Sequence, residues 1–300
     1  MRATGDEALR EHALLRSLID DQLRAVRCVD EAADALVAAG HAVADALRKG
    51  GRLIYLGAGA SGCIAVQDGA ELPGTFGLDI QSLAFVSPGG DPFGALVGSA
   101  GEDDEHEAAG AIEALALGED DLVIAVSASG STPFTLAGAR AAQGRGARVV
   151  AIACRAGAPL LEKADVAVLL PTGPEAVDGS TRLGAGTAQK AALGVISTLA
   201  CAEIGHVHRG MMVNLRPDNA KLRDRAAGIV ERLAEVDHAA AVAALEATQF
   251  DVKAAAVAAA GGLDAEAAKT LVAECGGDLA SALQHCNALQ RVSAPQRAGF

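Results

Sequence analysis

Leu53-Ile54-Tyr55-Leu56-Gly57-Ala58-Gly59-Ala60-Ser61-Gly62 decides how the rest of the chain is read. Its first four residues are apolar without alternation, which predicts a short strand buried on both faces, and a glycine-rich turn then opens a stretch of helical length. Working outward, the same texture recurs at Ile80–Val86, Leu122–Val126, Val149–Ala153 and Val166–Leu170, with Ala/Leu-rich stretches between most of them. Buried strands alternating with helices predict an α/β fold, a three-layer sandwich around a five-stranded parallel sheet. Ahead of it, Leu15, Ile19, Leu23 and Val26 fall at helical spacing, and Leu36, Val43 and Leu47 mark a second helix stopped by Gly50-Gly51.

Beyond the last strand, 184–208 reads as one long helix, and Asp218 is the expected N-cap of another that carries Leu222, Ala226, Ile229, Val230 and Leu233. From about Val236 the chain is Ala-rich, and Gly261-Gly262 and Gly276-Gly277 divide it into about three short helices, with Asp264 and Asp278 as N-caps. The expected organisation is a sheet domain with an N-terminal helical pair over 1–235 and a small helical subdomain over 236–300.

The 300 residues include 38 Asp and Glu against 25 Lys and Arg, a formal charge of −13. Nucleic acid binding rests on cations that neutralise phosphates, so this balance argues against a nucleic acid partner, and equally against an anionic membrane. Hydrophobic residues make up 51% of the chain and Trp is absent, so the core has to be built from Ala, Val, Leu and Ile. No segment reaches the roughly 18 apolar residues that a membrane helix needs. The six cysteines show no CxxC pair, which predicts neither a zinc site nor a disulfide framework. The expectation is a soluble, cytoplasmic protein with reduced thiols.

The turn at Gly57-Ala58-Gly59-Ala60-Ser61-Gly62 matches G-x-G-x-x-G, yet the second strand ends Ala84-Phe85-Val86-Ser87-Pro88 without the acid a dinucleotide ribose requires. No nucleotide cofactor is expected. The third strand runs into Ser127-Ala128-Ser129-Gly130-Ser131-Thr132-Pro133 just before a helix. Four hydroxyls there exceed what one N-cap needs, and Ser61 opens a second helix at the same sheet edge, so a phosphate is the favoured ligand. Glu175, Ser180 and Lys190 lie in a third polar segment, 173–190, which reads equally well as a sugar-binding loop or a capped turn. By composition alone Glu71 and Glu102 read as solvated carboxylates, and the run Glu102-Asp103-Asp104-Glu105 as an acidic helix start. His206 and His208, two apart on the expected helix, cannot face one metal ion.

Taken in order, 51–62, Asp68-Gly-Ala-Glu-Leu-Pro73, Ala128-Ser-Gly130 with Thr132-Pro133, Gly173-Pro-Glu175, Gly179-Ser-Thr-Arg-Leu183, Ala185-Gly-Thr-Ala-Gln-Lys190 and Met212-Val213 leading to Asn219-Ala-Lys-Leu222 resemble N-acetylmuramic acid 6-phosphate etherases. The likeness runs from about Arg52 to Leu233 and more loosely to Gly277. It implies a sugar isomerase (SIS) fold of flavodoxin-like type, a UBA-like tail, a homodimer, no cofactor, and cleavage of the lactyl ether of N-acetylmuramic acid 6-phosphate. By position in those motifs, Glu71 resembles the acid that protonates the departing lactyl oxygen and Glu102 the base that takes the proton from sugar carbon 2. Gly59, Ser61, Ser127, Ser129 and Thr132 fall where such domains hold the phosphate.

The family commonly carries Arg where this chain has Cys63 and Ser131, and Lys where it has Gly184. Two rivals share the scaffold. One is a non-catalytic sugar-phosphate sensor resembling the glucokinase regulatory protein, whose two sheet domains 300 residues cannot hold. The other is an aldose–ketose phosphate isomerase, which removes the same proton without releasing lactate.

Overall fold

The computed structural model describes residues 5–90 and 101–293. The chain divides into two compact units, one of Met1–Ala70 with Ile80–Ala200 and one of Glu71–Asp79 with Cys201–Phe300.

In the first unit, α1 (Gly5–Glu31) and α2 (Ala33–Arg48) precede β1 (Leu53–Gly57) and α3 (Gly59–Phe76), the last of which runs on into the second unit. Then follow β2 (Leu83–Val86), α4 (Glu105–Ala114), β3 (Leu122–Val126), α5 (Pro133–Gly144), β4 (Arg148–Ala153), α6 (Pro159–Glu162), β5 (Val166–Leu169) and α7 (Gly184–Glu203). The five strands are all parallel in the order β2-β1-β3-β4-β5. The α/β sandwich expected from the apolar runs is therefore present. One run is shorter than expected, because Ile80–Ser82 forms a single 3-10 turn with Ile80 exposed, and the strand starts only at Leu83.

Strand side chains alternate between faces. Ile54 and Leu56 pack with Phe134, Ala137 and Ile112 of α5 and α4, and Gly138 of α5 lies so close over Leu56 that a Cβ would meet its methyl carbons at 2.9 Å. Tyr55 faces the other way, where Gly69 of α3 touches its ring and that of Phe85. The Tyr55 hydroxyl donates to Asp68 Oδ2 at 2.8 Å, and Ser197 of α7 donates to Asp68 Oδ1 at 3.0 Å, so one half-buried carboxylate ties β1, α3 and α7. At the opposite edge Asp121 accepts from the Arg52 amide, the Arg52 guanidinium and the Gly118 amide, fixing the start of β1 beside β3. Burial alone raises the Asp121 pKa, but these donors outweigh it and hold the carboxyl below its usual range.

The second unit contains the hairpin of β6 (Val207–His208) and β7 (Met211–Met212), followed by α8 (Ala220–Ala234). Four helices follow where about three were expected: α9 (His238–Ala247), α10 (Val252–Gly261), α11 (Ala265–Glu274) and α12 (Leu279–Ser293). Asp237 and Asp251 cap α9 and α10 through Ala240 and Ala254, as Asp264 and Asp278 do for the next two. The cap of α8 is Asn219, whose Oδ1 accepts from Leu222 N at 3.0 Å, rather than the expected Asp218. The long helix ends at Glu203, before Gly205 with φ +77, so His206 and His208 do not share a helix. The core of this unit is Ala, Val, Leu and Ile, including Val230, Ala255 and Val257, all at 0% exposure. Among the described residues no helix is long and apolar enough to cross a membrane.

Candidate active site

The strand order reverses between β1 and β3, and the crevice beyond the carboxyl ends of those two strands is where open α/β sheets bind ligands. Gly57 pairs with Val126 across that point, so the turn after β1 and the loop after β3 emerge side by side.

The turn after β1 is tight because it lacks side chains. A Cβ on Gly62 would lie 2.6 Å from the Gly57 carbonyl oxygen, and one on Gly57 would lie 3.0 Å from Gly62 Cα and from the Val126 oxygen. The glycine pattern is thus explained by close approach of helix to strand. Ser61, in the first turn of α3, is 7% exposed and its hydroxyl has no hydrogen bond to a described residue.

In the loop after β3 the hydroxyls cluster. Ser127 Oγ lies 2.9 Å from Thr132 Oγ1 and 3.4 Å from Ser129 Oγ, and it accepts from the Gly130 amide at 3.0 Å. Ser131 donates to Ser129 Oγ through its amide at 3.2 Å and its hydroxyl at 3.1 Å. Thr132 occupies the N-cap position of α5 yet makes no side-chain cap, because its hydroxyl turns to Ser127. Gly130, at φ +62, allows the loop to close, since a Cβ there would sit 2.5 Å from that of Ala158. A ring of hydroxyls next to the amino end of α5 suits an anion.

Glu102 lies just before α4 and is not part of its acidic start. Asp104 takes that role, accepting from Glu107 N at 2.9 Å. The Glu102 carbonyl accepts from Phe134 N at 3.0 Å, which pins this residue to the first turn of α5. Its carboxylate reaches over Gly59, where a Cβ would meet Oε1 at 2.6 Å. Gly59, Glu102 and the hydroxyl loop are therefore gathered at one sheet edge.

The remaining candidates have surroundings of their own. Glu175 turns to α7, its two oxygens accepting from Gly184 N at 2.7 Å and Ala185 N at 2.9 Å. That cap is worth about 1 kcal/mol. Asp21, 2% exposed, faces the same helix start beside Gly184. Ser180 is half-buried in the turn ahead of α7. Lys190 is exposed, with Nζ 3.9 Å from the Cβ position of Gly194, one turn on. Glu71 is exposed in the second unit, three residues along α3 from Asp68.

Two residues carry more than the sequence signalled. Ser131, one of the four crowded hydroxyls and also the place of a missing arginine, extends the hydroxyl cluster by donating to Ser129. Gln189 of α7 is fully buried with neither amide atom hydrogen-bonded among the described residues, a costly arrangement that composition gives no means of noticing. Burial first, then the charges of Cys28 and Glu175, push Cys154 up to about 12, and burial likewise raises Cys63.

Fold and switch-point site together define the class: residues 20–154 match the SIS domain family. A solved structure of the Escherichia coli CFT073 protein c3406 superposes with a TM-score of 0.50 at 18% identity, over 69% of this chain and 97% of that one, and so shares the fold. An N-acetylmuramic acid 6-phosphate etherase of Deinococcus radiodurans is 42% identical over 94% of this chain and 93% of its own. That of Salmonella choleraesuis is 38% identical over 93% and 94%. The chain belongs to the N-acetylmuramic acid 6-phosphate etherase family.

Proposed function

We propose that the protein is a carbon–oxygen lyase that cleaves the D-lactyl ether of N-acetylmuramic acid 6-phosphate, giving N-acetylglucosamine 6-phosphate and D-lactate in cell-wall amino sugar recycling. The single observation that carries this reading beyond family membership is the Glu102 carboxylate, held over Gly59 at the same sheet edge as the hydroxyl cluster after β3. In this reading Ser61, Ser127, Ser129 and Thr132 take the phosphate, and Ser180, Glu175 and Lys190 border the sugar, Glu175 by holding the start of α7.

The chemistry demands two acid–base groups. An ether oxygen leaves poorly, so the open-chain aldehyde acidifies the proton on carbon 2, which the Glu102 carboxylate removes. As the carbon–carbon double bond forms, the carbon 3–oxygen bond breaks, and Glu71 in its protonated form delivers a proton to the lactyl oxygen. Water then adds at carbon 3 and carbon 2 is reprotonated, which replaces lactate by hydroxyl. No redox equivalent enters or leaves. A positioned acid or base contributes on the order of a hundredfold or more.

D-lactate release from N-acetylmuramic acid 6-phosphate is the assay. Glu71→Ala and Glu102→Ala are each expected to lower turnover at least about a hundredfold with unchanged circular dichroism. Release near the wild-type rate by either variant removes that residue from the scheme, and release of no lactate by the wild-type chain removes the activity.

Two further parts of the proposal concern setting. The six cysteines are free thiols, which fits a reducing cytoplasm. The α1 stripe of Leu15, Ile19, Leu23 and Val26 is 43–53% exposed at helical spacing, which supports a homodimer that covers it.

A further inference from the structure

The second unit contains a cleft of about 710 Å³ between the segment after β7, α8 and the turn joining α9 to α10. That size falls in the range of small-molecule sites. Its charged wall is unusual for this chain. Arg216, Arg223 and Lys253 all line it, and none forms a salt bridge with a described residue, although acids outnumber bases by 38 to 25.

Lys253 is the innermost of the three, 7% exposed, with Nζ donating to the Gly277 carbonyl at 2.9 Å. An ammonium has three donors, so two have no acceptor among the described residues. Burial lowers its pKa, against the pull of Asp251 and Asp278. The Arg223 guanidinium lies 5.1 Å above the Phe250 ring, which holds it at the cleft wall with Nε 3.4 Å from the Pro217 carbonyl oxygen. Phe250 is brought there by two successive left-handed residues, Gln249 at φ +59 and Phe250 at φ +62. Two carboxylates also border the cleft. Asp251 is committed to capping α10, and Asp218 is exposed.

We propose that this cleft binds a small organic oxyanion, a phosphate ester or carboxylate of about sugar size, with Arg216 and Arg223 holding the anionic group and Lys253 meeting an oxygen deeper in. Guanidinium groups suit both head groups because their paired N–H donors match two oxygens at once. An anion supplies an acceptor for the buried ammonium and a counter-charge for two arginines that form no ion pair among the described residues. The site is built from residues outside the sheet edge and does not depend on the lyase reading.

The chain has no Trp, so Phe250→Trp introduces a sole indole at the cleft. Inorganic phosphate, glucose 6-phosphate and D-lactate are titrated separately at ionic strength matched with sodium chloride. A saturable change in indole emission is expected with at least one probe and not with chloride. Saturation by the phosphates alone or by lactate alone identifies the head group, and either supports the site. Adding Arg216→Gln and Arg223→Gln should weaken binding at least about tenfold, whereas Ser127→Ala with Ser129→Ala should leave the titration unchanged. No saturation with any probe, or an undiminished titration in the paired Gln variant, overturns the proposal. A second measurement uses the native sequence: the rise in thermal midpoint given by the best probe should shrink in Arg216→Gln/Arg223→Gln, and an equal rise also overturns it.

Discussion

Gly59 satisfies two demands at one atom position. Its φ of +53 is left-handed, and the space a Cβ would take is filled by the Glu102 carboxylate at 2.6 Å. The backbone cost of alanine there is about 1–2 kcal/mol, and the steric conflict is relieved simply by swinging a flexible carboxylate aside. Gly59→Ala is therefore expected to lower stability only modestly and lactate release far more, about tenfold or beyond, if Glu102 is the base proposed above, because its carboxylate would lose its aim. Denaturant midpoint and turnover measured on the same preparation check this, and unchanged turnover would show that the carboxylate need not sit over Gly59. At this scale the sequence was informative about residue type and silent about contact. Hydroxyls after β3 announce themselves by crowding, but Glu102 and Asp104 are indistinguishable acids until one is seen capping α4 and the other reaching across to α3. Glu175 likewise looks like a ligand-binding carboxylate until its oxygens are traced to two amides nine and ten residues on.

Elements were legible where hydrophobic period dominates and less so at their ends. The five strands follow from apolar runs alone, but the run at Ile80 loses three residues to a 3-10 turn in which Ile80 is exposed. The end of α7 was overrun because 184–208 lacks Pro, and the stop comes from Gly205 and the Cys201 carbonyl accepting from His206 N at 2.8 Å. His206, placed by that stop, lies near Asn214, which donates to the Phe76 carbonyl at 2.9 Å. Burial first, then the charge of Lys253, lowers its pKa to about 4. The unfolded chain takes up this proton near pH 6.5 and the folded one only near 4, so the unfolded state binds more protons between those values. Stability should accordingly fall as pH drops from 6.5 toward 4, and His206→Asn should flatten that slope. Urea midpoints at pH 7 and pH 5 decide the matter, and an equal loss in both proteins would assign the acid sensitivity elsewhere.

The whole molecule is short of aromatic residues and builds both cores from small aliphatic ones. The assignment of Glu71–Asp79 to the second unit was not legible in sequence, since it depends on which distant residues that segment touches rather than on its own pattern. Assembly belongs to this scale. With Leu15, Ile19, Leu23 and Val26 exposed in one chain, Leu15→Glu with Leu23→Glu should convert the proposed dimer into a monomer in sedimentation, with far-ultraviolet spectra unchanged. A wild-type chain that already sediments as a monomer, or a variant that remains dimeric, would remove α1 as the dimer face.

The opposite side of α1 looks inward. Arg24 donates to the Thr172 carbonyl at 2.7 Å and the Pro174 carbonyl at 2.6 Å and pairs with Asp21, while Gln22 accepts from Thr187 of α7. A gene trimmed to start after this helix would still encode all five strands and every serine of the anion loop. It would nevertheless release the segment that delivers Glu175 to its amides, so for anyone choosing where to cut, α1 belongs with the loop that holds the start of α7.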